Sequence, residues 1–352
     1  MKLTLEQQRN LNKIGYILLA GIFLGIVYVM FSDGFSSLYP YINALLVAPA
    51  MVLIIAFYEF VVFTGQVRKK GFRVLMVLRI LAYTISVVIV VLGVLILTRM
   101  IKYDKNFSQI VASEEFRNFL RYGDFKAMIS YVFGLVVLIN FILQMDRKMG
   151  QGVLPGLILG RYRHAKEVQR FIMFLRLQNI DQLIQNLGNE KTLDFINEVL
   201  FDITDAIIFH GGVISEYVDG EMVILWTKSE GQKNANCLRA FFEIKEIIRR
   251  EKINYYEKFN AAPEYIAALH FGTLVRGEVG IVKTEIVYSG DAMNTTSRQL
   301  KYAAKSTDLI ASAEAMKLLD LPTILSVKKL GSVPMRGKQE EVEIMVIHEK
   351  VP

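Results

Sequence analysis

Four apolar runs in the first 145 residues constrain this chain more than any other feature: roughly Ile14–Phe31, Ile42–Phe63, Ile80–Thr98 and Ala127–Met145. Each is long enough to cross a hydrocarbon core of about 30 Å as an α-helix, the form that satisfies its own backbone groups there. They account for a 352-residue chain being 53% hydrophobic with a mean hydropathy of +0.35, an excess confined to one half. The first run is not read as a cleaved leader, because three comparable runs follow and no small-residue cleavage site stands out. Between the second and third runs lie Arg68, Lys69, Lys70, Arg73 and Arg79, with no acid among them. The N-terminal segment holds Lys2, Arg9 and Lys13 against Glu6, and Arg147 and Lys148 follow the fourth run, whereas the segment after the first offers only Asp33. Basic loops stay on the cytoplasmic side. The expectation is therefore a four-span membrane domain over residues 1–145, in contact with lipid, with both termini cytoplasmic.

Glu59, in "FYEFVVF" near the inner end of the second run, is an acid inside a span. At mid-depth such a group costs about 2.5–3.5 kcal/mol and is a functional candidate by default. Pairing with Arg68, Lys69 or Arg73 in the following loop is the simpler reading. No second acid and no pair of broken half-helices marks a transport path. The segment 99–126 mixes six basic and four acidic residues. Within it "SEEFRNFL" offers Ser113 as an N-cap, two acids in the first turn, and Phe116, Phe119 and Leu120 on one face. It reads as a short interfacial helix covering the bundle, with a sensor surface as the alternative.

One cysteine, Cys237, excludes an internal disulfide framework and a cysteine-based zinc site. His164, His210, His270 and His348 show no metal-ligand spacing. The net charge of +7 serves membrane orientation, so no nucleic-acid partner is expected.

Residues 146–169 read as a juxtamembrane linker with four glycines and Pro155. From Arg170 strands and helices alternate. "RFIMFLRL" reads as a strand, followed by about 25 residues of helical periodicity with Phe195, Val199, Leu200 and Ile203 on one face. "GGVISEYVDGEMVILW" is two strands meeting at Asp219-Gly220, a dipeptide suited to a type I′ hairpin. A helix near Asn234–Glu257, the strand "EYIAALHFG", and the pair "TEIVYSG" and "DAMNTTSRQLKYAAK" follow. The order β-α-β-β-α-β predicts an α+β ferredoxin-like core over 170–352. Trp226, Phe241 and Phe242 are assigned to that core, and Thr295 and Thr296 to a helix surface.

Several of these segments resemble the class III adenylate/guanylate cyclase catalytic domain, over about residues 165–348. "VYSGDAMNTTSRQL" is similar to the family's Gly-Asp step and Asn-x-x-x-Arg helix, "ALHFGTLVRGEVG" to the strand and glycine-bearing loop before it, and "MRGKQEEVEIMVI" to its C-terminal hairpin. "FLRLQNID" and "EYVDGEMVILW" stand where the family holds metal. A four-span anchor on one such domain resembles a bacterial subgroup, which implies the bacterial inner membrane. The resemblance implies head-to-tail pairing of two domains. One partner supplies two aspartates for two divalent metals; the other supplies an Asn and an Arg for ribose and triphosphate and a Lys on phosphate. The ribose 3′-hydroxyl of ATP or GTP attacks the α-phosphate, and pyrophosphate leaves.

Carried onto this sequence, the resemblance keeps half of that site. Asn294 and Arg298 stand four apart on one helix face, and Lys338 fits the phosphate lysine. At the first metal position Phe-x-Asp becomes Phe174-Leu175-Arg176, and at the second the aspartate's place is Gly220, with Asp219 beside it. The positions that read the purine are Glu216 and Val287. At an effective dielectric near 20, like unit charges 4 Å apart repel by about 4 kcal/mol, and a divalent ion would feel roughly twice that. Arg176 is explained by pairing with Asp219 or Glu221. The expectation is a catalytically inactive, membrane-anchored dimerisation or regulatory module (a pseudocyclase) with no cofactor, unless a partner's aspartates bring Mg²⁺ or Mn²⁺. The alternatives are one subunit of a heterodimeric cyclase, autonomous activity through a substituted metal shell, and a metal-independent nucleotide sensor in which Arg176 joins Arg298 and Lys338 on a triphosphate.

Overall fold

The structure, a computed structural model, describes residues 18–19, 21–31, 38–58, 62–63, 72–122, 124–149, 153–218, 220–281, 284–303, 309–334 and 341–350. It divides into two compact units, Met1–Lys148 and Met149–Pro352.

The first unit is helical. Its helices are α1 (Gly21–Phe31), α2 (Tyr39–Phe57), α3 (Phe72–Tyr103), α4 (Phe107–Ala112), α5 (Glu114–Arg121) and α6 (Asp124–Met149). Two of them are long and apolar enough to cross a membrane, over Arg73–Tyr103 and Phe125–Ile142; α1 and α2 are shorter apolar helices. The third element corrects the sequence reading. Arg73 and Arg79, assigned to a loop, lie inside α3. Arginine is a good helix former, and the helix carries on past the apolar run. Arg79 is buried, its guanidinium carbon 5.1 Å from the centre of the Phe63 ring. Tyr58, Phe63 and Tyr83 pack on one another beside it, and Ser86 donates to the Tyr58 hydroxyl at 3.1 Å. Glu59, Arg68, Lys69 and Lys70 lie outside the described residues.

The second unit opens with the short helix α7 (Val153–Ile158) and continues as β1 (Lys166–Leu177), α8 (Ile180–Phe209), β2 (Val213–Val218), β3 (Glu221–Thr227), α9 (Lys228–Gln232) and α10 (Asn236–Phe259). There follow β4 (Tyr265–Val279), β5 (Glu285–Ser289), α11 (Asp291–Ala303), β6 (Leu309–Ser312), α12 (Ala313–Met316), β7 (Leu325–Val333) and β8 (Val342–Glu349). The strands form one sheet in the order β2-β3-β1-β4-β6-β8-β7, with β5 paired to β4. The first four strands and two long helices make the expected β-α-β-β-α-β core, with β1 antiparallel to both β3 and β4. The glycine-bearing segment after "ALHFG" is strand rather than loop: β4 runs on to Val279 and pairs with β5.

Alternation along β1 sends its side chains to two cores. Phe171, Met173 and Leu175 pack with Phe195, Val199 and Ile203 of α8 and Phe241 and Ile244 of α10. Ile172 and Phe174 pack with Ile266 and Ala268 of β4 and Ala292, Leu300 and Ala303 of α11. Helix α8 is broken at Gly188, whose φ of 78° suits glycine. Trp226, Phe241 and Phe242 are core residues. Thr295 and Thr296 are not surface residues: both are fully buried, and their hydroxyls donate to the carbonyls of Asp291 and Ala292 at 2.9 and 2.7 Å. A hydroxyl satisfied by the preceding turn can be buried without an unpaired polar group, which a polar residue type alone does not reveal.

Phe195 is fully buried, edge-on to Tyr255 and Phe259. Phe195→Ala is expected to lower the unfolding free energy of the second unit by about 3–5 kcal/mol. Trp226, the single tryptophan, is buried with its indole N–H on the His210 carbonyl at 2.9 Å, so its emission in a urea titration reads this directly.

Candidate functional site

The candidate site gathers at the C-terminal end of β1. Strand pairing sets Arg176 directly opposite Glu221, the first residue of β3. Its Nε donates to Glu221 Oε1 at 2.6 Å, and Nη2 approaches the same oxygen. Of the two carboxylates the sequence offered as partners, Glu221 takes the contact, and Asp219 lies outside the described residues.

The hairpin tip is tied to the same place. The Leu177 amide donates to the Gly220 carbonyl at 2.9 Å, so positions 176 and 220 are brought together. Val218 pairs with Glu221, leaving the two-residue turn that Asp219-Gly220 predicted. Gly220 has a φ of 75°, and a Cβ there would stand 2.7 Å from Ile180 Cδ1. A side chain at 220 would meet both backbone strain and Ile180.

Beyond this end of the sheet is an open cavity of about 340 Å³ lined by Gln178, Asn179, Asp181, Gln182 and Glu264. Asn179 is anchored by its amide N–H on the Ala262 carbonyl at 3.2 Å. Among the described residues no group of three His, Cys, Asp or Glu side chains converges well enough to hold a metal ion.

Asn294 and Arg298 lie together on α11, four residues apart, off the buried face formed by Ala292, Thr295, Thr296, Gln299, Leu300 and Ala303. Asn294 is exposed and Arg298 half-buried. Among the described residues the hydrogen bonds of the Arg176 side chain go to Glu221, so within one chain it is not joined to Asn294. Glu216 sits on β2 opposite Val223, at a bulge, and Val287 on β5 opposite Gly277. Lys338 lies outside the described residues.

Two histidines with no role assigned from spacing are buried in polar contacts. His210 Nε2 lies 2.5 Å from Glu243, and His270 Nδ1 lies 2.8 Å from the Ser312 hydroxyl. Spacing in sequence could not show these, because each pair joins separate elements. Burial pushes the phenol of Tyr265, paired with Leu177, above the ordinary tyrosine range. Tyr255 is raised by burial and by the Asp202 carboxylate 2.9 Å from its hydroxyl. Neither is a base at neutral pH.

Against known proteins, the chain is 28% identical over 209 residues to adenylate cyclase 2 of Rhizobium meliloti (strain 1021). That match covers 59% of this chain and 57% of the relative, a little over half of each. The structure of a bacterial light-regulated adenylyl cyclase superposes with a TM-score of 0.51 at 17% identity, over 62% of this chain and 65% of that one. The chain is thus similar in sequence to an adenylate cyclase and shares its fold with a solved adenylyl cyclase. The adenylyl cyclase CyaB from P. aeruginosa matches over 53% of this chain and 97% of its own, at 15% identity and a TM-score of 0.47. No family model matches the chain.

The family's two-metal centre does not fit what the described residues offer at this end of the sheet. At the two positions the resemblance assigns to metal stand a guanidinium bonded to Glu221 and a glycine whose φ and neighbours resist a side chain, and Asp181 and Glu264 in the cavity beyond belong to no group of three such ligands among the described residues. A cation in a ligand's place repels a divalent ion.

Two outcomes are expected. The Arg176 and Glu221 side chains are 35% and 23% exposed, so a double-mutant cycle with Arg176→Met and Glu221→Gln should give a coupling of only about 0.2–1 kcal/mol. Tyr255 and Tyr265 hold their protons more tightly folded than unfolded. The stability they contribute is complete below the unfolded tyrosine pKa of about 10 and falls as pH rises beyond it. The urea midpoint read by Trp226 should therefore decline above about pH 10, and less steeply in Tyr255→Phe.

Proposed function

We propose that this chain is a membrane-anchored cyclase-homology protein that forms no cyclic nucleotide by itself and acts as a dimerisation or regulatory module in cyclic-nucleotide signalling. Four spans in a bacterial inner membrane, with both termini cytoplasmic, complete the reading. The basic residues flanking the apolar runs support the orientation, and the two long apolar helices support the anchor.

One observation carries the functional reading: Arg176, which the resemblance puts at the first metal position, is held in an ion pair with Glu221. Attack of a ribose hydroxyl on an α-phosphate places charge on both the attacking and leaving oxygens, which two metals normally clamp. A guanidinium committed to a neighbouring carboxylate is a poor substitute for those metals. The paired domain would be a second copy of this chain or another cyclase-domain protein.

A second reading is favoured by α11. Asn294 and Arg298 keep the spacing of the ribose- and phosphate-binding pair, with Asn294 exposed. In a heterodimer this face would complete a site whose aspartates, and with them Mg²⁺ or Mn²⁺, come from the partner. Glu216 and Val287 count against it, since neither suits the purine.

The test is the purified full chain with ATP or GTP, each with Mn²⁺ and with EDTA, read for bound nucleotide and cyclic product. The expected result is no product under any condition. Cyclic product that depends on Mn²⁺ and is lost in Arg298→Ala would overturn the proposal. Binding in EDTA that is lost in both Arg298→Ala and Arg176→Met, with no product, would identify a metal-independent nucleotide sensor instead. Product that appears only after mixing with a cyclase domain bearing both aspartates would favour the heterodimer.

A further inference from the structure

The segment between α3 and α6 folds into a small polar cap with an unfilled place beside a half-buried arginine. Helix α3 ends where Asp104 takes a left-handed φ of 50° and the Lys105 amide donates back to the Met100 carbonyl at 3.2 Å. This left-handed stop closes a helix and turns the chain. Gln109 accepts from the Asn106 amide at 2.9 Å to start α4. Ser113 then caps α5: its hydroxyl accepts from the Phe116 amide at 3.2 Å and donates to the Ile110 carbonyl at 2.7 Å. These bonds fix α5 so that Phe116 and Phe119 turn toward the end of α3. Their ring centres lie 5.6 and 5.2 Å from the guanidinium carbon of Arg99.

Arg99 is the cation in this cap. The two rings attract its positive charge but cannot accept its N–H groups as an oxygen would. Its Nη1 is fully buried and, among the described residues, has no hydrogen-bond partner. A cavity of about 90 Å³ adjoins it, lined by Arg99, Tyr103, Lys105, Ile110, Ser113 and Glu115. At roughly 30 Å³ per water, that is room for about three waters or one small anion. Glu115 lines the same space, and among the described residues no ion pair joins it to Arg99 or Lys105. Two cations against one carboxylate leave the cavity net positive.

We propose that this cavity binds a small oxyanion, with Arg99 donating from its buried Nη1 and Lys105 adding a second charge. A guanidinium suits a planar carboxylate or a phosphate oxygen pair. Arg99 directly follows the last residue of the third apolar run, Thr98, a depth at which phospholipid phosphates lie. The oxyanion therefore comes either from a lipid headgroup or from solution. Occupancy would tie α5 to the end of α3, making the cap an input to the membrane unit.

The full chain, purified in a maltoside detergent free of phosphate, is titrated calorimetrically with inorganic phosphate, acetate and a short-chain phosphatidylglycerol. Saturable binding of at least one is expected, weakened at least about tenfold in Arg99→Gln, the loss of a charge-assisted hydrogen bond. Glu115→Gln removes the lining carboxylate and should tighten binding several-fold, a gain that a misfolded protein cannot mimic. Binding of phosphate or acetate supports a soluble ligand, and binding of phosphatidylglycerol alone supports a lipid headgroup. No saturable binding of any of the three, or equal affinity in the wild type and Arg99→Gln, would overturn the proposal. If Arg99→Gln does not fold, an affinity in Glu115→Gln no higher than wild type overturns it.

Discussion

The second unit depends on burying β1 on both of its faces. Phe171, Met173 and Leu175 on one side and Ile172 on the other are fully buried, and a strand in that position has no freedom to slide. A shift of one residue would exchange its two sets of side chains between cores of different shape. Arg176 faces Glu221 because Phe174 faces Val223 and Ile172 faces Leu225. The chemistry at the strand's end is thus inherited from packing that has nothing to do with nucleotide.

Much of this was legible because it rests on local periodicity. The apolar alternation of "RFIMFLRL" gave β1, the spacing of Phe195, Val199 and Ile203 gave the buried face of α8, and Asp219-Gly220 gave a two-residue turn. Ser113 was visible as a cap because capping residues act within one turn. Of the candidate site, the partner of Arg176 was narrowed to two carboxylates from the hairpin alone. The choice between them needed the register.

What could not be read depends on distance or on exceptions to residue type. Arg79 looked like a loop cation because charge usually ends an apolar run, but Phe63 shields it inside α3. Thr295 and Thr296 looked like surface residues because threonine is polar, but the preceding turn of their own helix satisfies them. The contacts of His210 with Glu243 and of His270 with Ser312 join residues 33 and 42 positions apart. The setting of Arg99 depends on where two phenylalanines of another helix come to rest, which no pattern within "SEEFRNFL" specifies.

The two departures that the resemblance places at metal positions, Arg176 and Gly220, belong to one structural solution. Leu177 holds the Gly220 carbonyl, and the hairpin so placed presents Glu221 to Arg176. With Gly220 at a φ of 75° and Ile180 packed against it, the turn is built for a residue without a side chain. An aspartate put back at 176 alone would face Glu221 across the strand pair, two like charges where attraction now holds, and directly opposed like charges destabilise a sheet. An aspartate put back at 220 alone would strain the turn and leave the guanidinium in place. In the function proposed here, neither single reversal rebuilds a two-metal centre, because each leaves the other position without its carboxylate.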